Sequence, residues 1–304
     1  MSLNLDEIFS CKQITASSLN LYKTKLRILN DNKPIKNINY LYSIDTIKNK
    51  IDKLKPNTRR TYIIAITSIL RCLTNPEKKP SKKLKKLYDD YSKILDEYNT
   101  SLKDQTEITE GTKVISNDKI DEIYKDVKIK ANNKQASKQD QQDYLILSLY
   151  TLQAPRRSKD YIYMKVINNY NNELSKDFNY YDGYKFYFNV YKTRGKYGEV
   201  IIEVSNELKK IIDIYIDNNN VKNGDFLLTN KNNIDLTKNT NIMTNILNRI
   251  FKDKISTSAL RRSYLTNKYG NLQEELKKDV NNMGTSTDMA TNNYIKKNKL
   301  KKRI

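Results

Sequence analysis

A single change of period limits what this chain of 304 residues can fold into. From Leu19 to Tyr98 the apolar side chains return every three or four positions, the spacing of one helical face. Between Phe178 and Val204 they return every second position, the spacing of a strand, and helical spacing then resumes. The first hundred residues hold four such stripes: Leu19, Tyr22, Leu26 and Leu29; Ile44, Ile47, Ile51 and Leu54; Tyr62, Ile66, Ile69 and Leu73; and Leu84, Leu87, Tyr91, Ile94 and Tyr98. Ser17 or Ser18 is placed to cap the first, Pro56 to close the second and Thr58 to cap the third. No one of these helices buries its stripe alone, so a four-helix domain over 1–100 is the simplest arrangement.

Residues 101–115 lose the helical period and read as a linker. A helix opens at Ser116-Asn117-Asp118, with Ile120, Ile123, Tyr124 and Val127 inward, and the polar stretch from Asn132 to Gln142 reads as a loop. Tyr144 to Leu152 is apolar nearly all round, as expected of a buried central helix. Phe186, Phe188 and Val190 alternate before Thr193-Arg194-Gly195, and Val200, Ile202 and Val204 alternate after it, which predicts a β-hairpin. Helices are expected again at 206–216, 239–251, 257–269 and 272–281. The expectation is a mainly α protein whose second domain, 116–304, is α+β with one small hairpin or sheet.

Charge narrows the partner. Lys and Arg number 56 against 35 Asp and Glu, for a net charge of +21. Such an excess favours a polyanion, because each neutralised phosphate releases condensed counterions. Basic residues crowd the rims of the first domain, at Lys23, Lys25, Arg27, Arg59, Arg60 and the run from Lys78 to Lys86, and again after Lys296. The abundance of Asn, Lys, Ile and Tyr fits AT-rich coding, as in a virus or mobile element. There is no histidine, and the two cysteines, Cys11 and Cys72, lack metal-ligand spacing, so neither a zinc site nor any other metal or cofactor is expected. Both cysteines read as reduced thiols. With no apolar leader at Met1–Cys11 and no run long enough for a membrane span, an intracellular protein is expected.

The last third carries Ser258-Ala259-Leu260-Arg261, then Gly284-Thr285-Ser286, then Tyr294 nine residues after Thr285. This order resembles the closing signature of the tyrosine recombinase (phage integrase) family: an H-x-L-R helix, a G-H/W-x turn and a nucleophilic tyrosine. Two further stretches extend the resemblance from Arg157 to Tyr294. Ala154-Pro155-Arg156-Arg157-Ser158-Lys159-Asp160-Tyr161 resembles the family's G-L-R-x-x-E-L motif. Aligning Asp160 with the family acid selects Arg157 as the catalytic arginine, and a shift of one selects Arg156. Val190-Tyr191-Lys192-Thr193-Arg194-Gly195-Lys196 resembles the run that carries the family lysine. Asn57-Thr58-Arg59-Arg60-Thr61-Tyr62 resembles a helix start of the family's core-binding domain.

The resemblance implies a SAM-like core-binding domain followed by a recombinase catalytic domain. Its expected chemistry is attack of Tyr294 on a DNA phosphodiester, with Arg157 and Arg261 on the non-bridging oxygens. A guanidinium suits that role because its planar fork donates two hydrogen bonds and keeps its charge. Lys192, at the end of the first hairpin strand, is the expected acid for the departing 5′ oxygen, with Lys196 in reserve. Ser258 stands where the family commonly has histidine, and Thr285 where it has histidine or tryptophan. Hydroxyls donate hydrogen bonds but bring no charge. Arg59, Arg60, Arg194, Lys196 and Arg262 are expected DNA contacts, and double-stranded DNA held by a homotetramer is the expected assembly. The resemblance implies site-specific strand exchange without metal or ATP. The alternatives are a catalytically impaired DNA-binding protein of the same fold, or DNA relaxation of the type IB topoisomerase kind.

Overall fold

The computed structural model describes residues 3–75, 77, 79–108, 114–239 and 241–295. Lys78, part of the expected linker (109–113) and the basic tail from Lys296 lie outside them. The chain divides into two compact units, Met1–Gly111 and Thr112–Ile304, a boundary that falls inside the expected linker. Among the described residues no helix is long and apolar enough to cross a membrane.

The first unit is built from α1 (Leu5–Phe9), α2 (Ala16–Leu29), α3 (Ile44–Ile51), α4 (Pro56–Leu73) and α5 (Lys82–Ile108). Its core follows the four stripes: Leu26, Leu29, Ile47, Ile51, Tyr62, Ile66, Ile69, Leu87, Tyr91 and Ile94 are all buried. Helix α4 lies against both α2 and α5. The caps differ from expectation. Thr15, not Ser17 or Ser18, accepts from Ser18 N to start α2, and Pro56 opens α4 at its first turn rather than closing α3. Proline is suited there, since its missing N–H would lack a helical partner anyway. Helix α5 runs on to Ile108, so the first half of the expected linker is helical.

The two cysteines also correct the sequence reading. Cys11 and Cys72 are joined in a disulfide, Cα to Cα 5.6 Å, across a separation of 61 residues. Helix α1 packs on α4, which carries the loop after α1 to the last turn of α4. Sequence spacing held no trace of that approach.

The second unit opens with α6 (Asn117–Ala131), capped by Ser116, and α7 (Lys138–Thr151). Helix α7 begins inside the expected loop. Its start is a capping box in which Ser137 Oγ accepts from Asp140 N and Asp140 accepts from Ser137 N. After it come α8 (Ser158–Ile162), β1 (Met164–Val166), β2 (Asn179–Tyr181), β3 (Lys185–Phe188), α9 (Arg194–Tyr197), β4 (Val200–Glu203), α10 (Asn206–Asn218), α11 (Ile242–Phe251) and α12 (Thr257–Asn282). The strands form one sheet in the order β1-β2-β3-β4, with β1 parallel to β2 and the other pairs antiparallel. The expected hairpin is β3–β4, with Phe186 opposite Ile202. Helix α7 is buried from Tyr144 to Tyr150, and Tyr150, Tyr161, Phe186 and Phe188 pack edge-on or tilted against one another beside it. The two helices expected at 257–269 and 272–281 are the single α12. The protein is thus mainly helical with one small four-stranded sheet.

Candidate active site

Two short chain segments meet at the base of this site. The first follows the C-terminus of α7 at Thr151 and runs through Pro155 to Arg157, the N-cap residue of α8. The second is the first turn of α12. Arg261 Nε donates to Pro155 O (3.2 Å), and the hydroxyls of Ser158 and Thr257 lie 3.1 Å apart. These contacts join positions about a hundred residues apart and bring Arg157 and Arg261 together. Burial, and secondarily the Arg157 charge, pull the Arg261 pKa down from its ordinary value. A guanidinium starts so high that the charge persists at neutral pH. Two like charges held close, with no ion pair to either among the described residues, form a receptor for an anion.

The two neighbouring arginines have different tasks. Arg156 Nε donates to Asp160 Oδ2 at 2.8 Å; the carboxylate is buried and the guanidinium partly so, with side chains 2% and 17% exposed. Its guanidinium lies 3.9 Å from the Phe188 ring centroid and 5.1 Å from that of Tyr191. Arg156 therefore ties α8 to β3 and to the root of the β3–β4 connection. Arg157 is half-buried and free of such ties. Burial raises the Asp160 pKa, an effect that Arg156 and then Arg157 oppose.

Beneath the arginines lie three buried polar atoms without a well-formed hydrogen bond: Tyr150 OH, Gln153 Oε1 and Asp160 Oδ1. Burial pushes the Tyr150 pKa well up, and Ser158 and Arg261 only partly offset it. Burial likewise holds Tyr161 at about 12. Sequence reasoning missed Tyr150 and the Ser158–Thr257 contact, because Tyr150 stands in an apolar helix and looks like ordinary core.

The remaining site residues are placed as follows. Lys192 is exposed and lies four residues beyond the end of β3, not at its last position, in a connection that contains α9. Its neighbour Tyr191 sits under Arg156, which fixes the root of that connection at the site. Ser258 is exposed on the first turn of α12, one turn before Arg261. The Gly284 turn is the C-cap of α12. Thr285 N donates to Val280 O and Gly284 N to Asn281 O, with Gly284 at φ +67°, the left-handed conformation that closes a Schellman motif. Thr285 is half-buried. Tyr294 ends a single π-helical turn, Ala290–Tyr294, and is 60% exposed. No hydrogen bond or ring contact among the described residues fixes the Tyr294 side chain near the arginines.

Of the expected DNA contacts, Arg262 is half-buried on α12, Arg194 donates to Lys176 O (3.3 Å), and Lys196 lies over the Tyr197 ring on α9. In the first unit Arg59 donates to Leu54 O (2.7 Å) and Arg60 to Asn99 Oδ1 (2.5 Å), so both secure the start of α4. No group of three or more ligating side chains able to hold a metal occurs among the described residues. No protein-family model and no curated protein sequence matches the chain, so the recombinase resemblance rests on the residues themselves.

Proposed function

We propose that this protein cleaves and rejoins DNA strands through a 3′-phosphotyrosine intermediate, as a site-specific recombinase of the tyrosine type. One observation carries the reading. Arg157 and Arg261, chosen from the sequence on separate motifs, share one site because Arg261 bonds the Pro155 carbonyl. In the proposed reaction the Tyr294 oxygen attacks phosphorus and the bond to the 5′ oxygen breaks. The phenol gives up its proton to solvent water, and Lys192 supplies one to the leaving oxygen. Arg157 and Arg261 hold the two non-bridging oxygens, and the Ser258 and Thr285 hydroxyls add neutral donors. Reversal by a new 5′ hydroxyl rejoins the strand. Closure of the Tyr294 segment onto the arginines accompanies DNA binding, and a homotetramer on duplex DNA is the working assembly.

Arg157→Gln and Arg261→Gln test this directly. Each is expected to slow cleavage of a target duplex by roughly a hundred- to a thousandfold, the usual loss for one preorganised donor to a developing oxyanion. Cleavage that persists unchanged in both contradicts the reading.

The exposure of Tyr294 favours one other reading, a DNA-binding protein of this fold without the reaction. It requires salt-sensitive binding that is identical in wild type and Tyr294→Phe.

A further inference from the structure

The opposite end of α7 carries a second site. That helix has 14 residues, so its N-terminus lies roughly 20 Å from the arginine cluster. There a cavity of about 500 Å³ opens between the first turn of α7, the loop closed by the Thr229–Asp235 bridge, and α11. Its floor is apolar, with Leu236 and Ile246 buried and Ile242 beside them. Its rim is cationic, with Lys138, Lys231 and Arg249. The carboxylates near the rim are engaged: Asp143 pairs with Arg249, Asp140 belongs to the capping box of α7, Asp225, whose charge also acts on Lys138, accepts from Lys222 N, and Asp235 accepts from Thr237 N. Lys138 bonds only the amide oxygen of Asn233, and Lys231 is exposed with no acidic partner among the described residues.

The wall supplies the observation that points to a ligand. Gln142 is 8% exposed, and its Oε1 is taken by Tyr215 OH (3.0 Å) and Thr229 N (3.2 Å). Gln142 lines the cavity, and no hydrogen bond from its amide nitrogen to a protein group occurs among the described residues. The adjacent Thr229 hydroxyl is buried and also unpartnered. Leaving the buried Thr229 hydroxyl without a partner costs about 1–3 kcal/mol, which a bound polar group would recover.

We infer that this cavity binds a free nucleoside phosphate. The base lies on the Leu236–Ile242–Ile246 floor and presents an acceptor edge to the Gln142 amide. The phosphate meets the ammonium groups of Lys138 and Lys231 on the rim. The site is one of binding and is independent of the strand-cleavage reading.

The test is a fluorescence titration of the full chain with N-methylanthraniloyl-ATP at about 0.15 M salt, where surface attraction is largely screened. Saturable binding is expected, displaced by unlabelled ATP and AMP but not by inorganic tripolyphosphate. Lys231→Glu, a surface change, should weaken it at least about tenfold, as loss of one charged hydrogen bond does. Gln142→Leu should weaken it too, and Arg157→Gln should leave it unchanged. Absence of saturable binding overturns the inference. So does equal displacement by tripolyphosphate, displacement by a short single-stranded oligonucleotide but not by AMP, or sensitivity to Arg157→Gln in place of Lys231→Glu.

Discussion

Replacing Arg156 and Arg157 separately by methionine should give opposite phenotypes, although the two are adjacent and equally charged. Arg156 and Asp160 pair at 2.8 Å, with Asp160 buried at 2% exposed and Arg156 17% exposed. Removing the arginine leaves a buried carboxylate without its cation, while burial already raises the Asp160 pKa. Breaking such a pair from one side costs about 3–5 kcal/mol, whereas replacing both partners by apolar groups is often neutral. At about 2–4 °C per kcal/mol for a unit of this size, Arg156→Met should lower the Tm by roughly 6–20 °C. The added change Asp160→Leu should restore most of it. Arg157 has no such partner, so Arg157→Met should shift stability by less than about 0.5 kcal/mol while abolishing cleavage. Thermal unfolding followed by circular dichroism, beside a cleavage assay, reads both effects. A stable Arg156→Met variant next to an unstable Arg157→Met variant would refute the assignment.

Three further outcomes follow from the structure. Reducing Cys11–Cys72, or replacing both by serine, should destabilise the first unit by about 4 kcal/mol, from the loop-closure entropy of a 61-residue separation; identical urea midpoints for the oxidised and reduced chain would contradict it. The Asp140 carboxylate has a pKa held below 3.8 by the Ser137 hydroxyl, so its stabilisation is full above that value and disappears as pH falls through the lowered one. Asp140→Ala should therefore cost about 1 kcal/mol at neutral pH and almost nothing in strong acid, measured by denaturant unfolding at both. Ser258→His should raise cleavage if the hydroxyl limits proton handling, up to the roughly hundredfold worth of a general acid–base group; a single-turnover rate no faster than wild type would show that the serine suffices.

The parts legible in the sequence were those with a local physical cause. The four stripes of the first unit and the β3–β4 hairpin announced themselves by period, and the buried part of α7 by an apolar run with no polar face. Strand β1 did not, because three residues hold no alternation and its parallel partner β2 is fixed only by tertiary packing. Helix α12 was expected as two helices, 257–269 and 272–281, with a break at Gly270-Asn271. The helix continues through Gly270, where a side chain would meet only Thr266 Cγ2 at 3.6 Å, and the glycine penalty of about 1 kcal/mol is too small to end it. The polar start of α7 concealed its helix, although Ser137 and Asp140 carry the capping-box spacing with aspartate as the acid. At the site, residue types and order pointed to Arg157 and Arg261, but only the fold separates Arg157 from Arg156, by giving Arg156 to Asp160. The disulfide and the nucleotide-sized cavity were not legible, since both arise from segments far apart in sequence.

Trapping a covalent protein–DNA adduct tests the central claim most directly. Wild type and Tyr294→Phe would be incubated with nicked suicide duplexes tiled across the DNA flanking the gene, then run on a denaturing gel. The account predicts a detergent-resistant, protease-sensitive band with wild type and none with Tyr294→Phe. An adduct that persists in Tyr294→Phe would contradict the assignment of the nucleophile, and tight salt-sensitive binding with no adduct on any fragment would contradict strand cleavage itself.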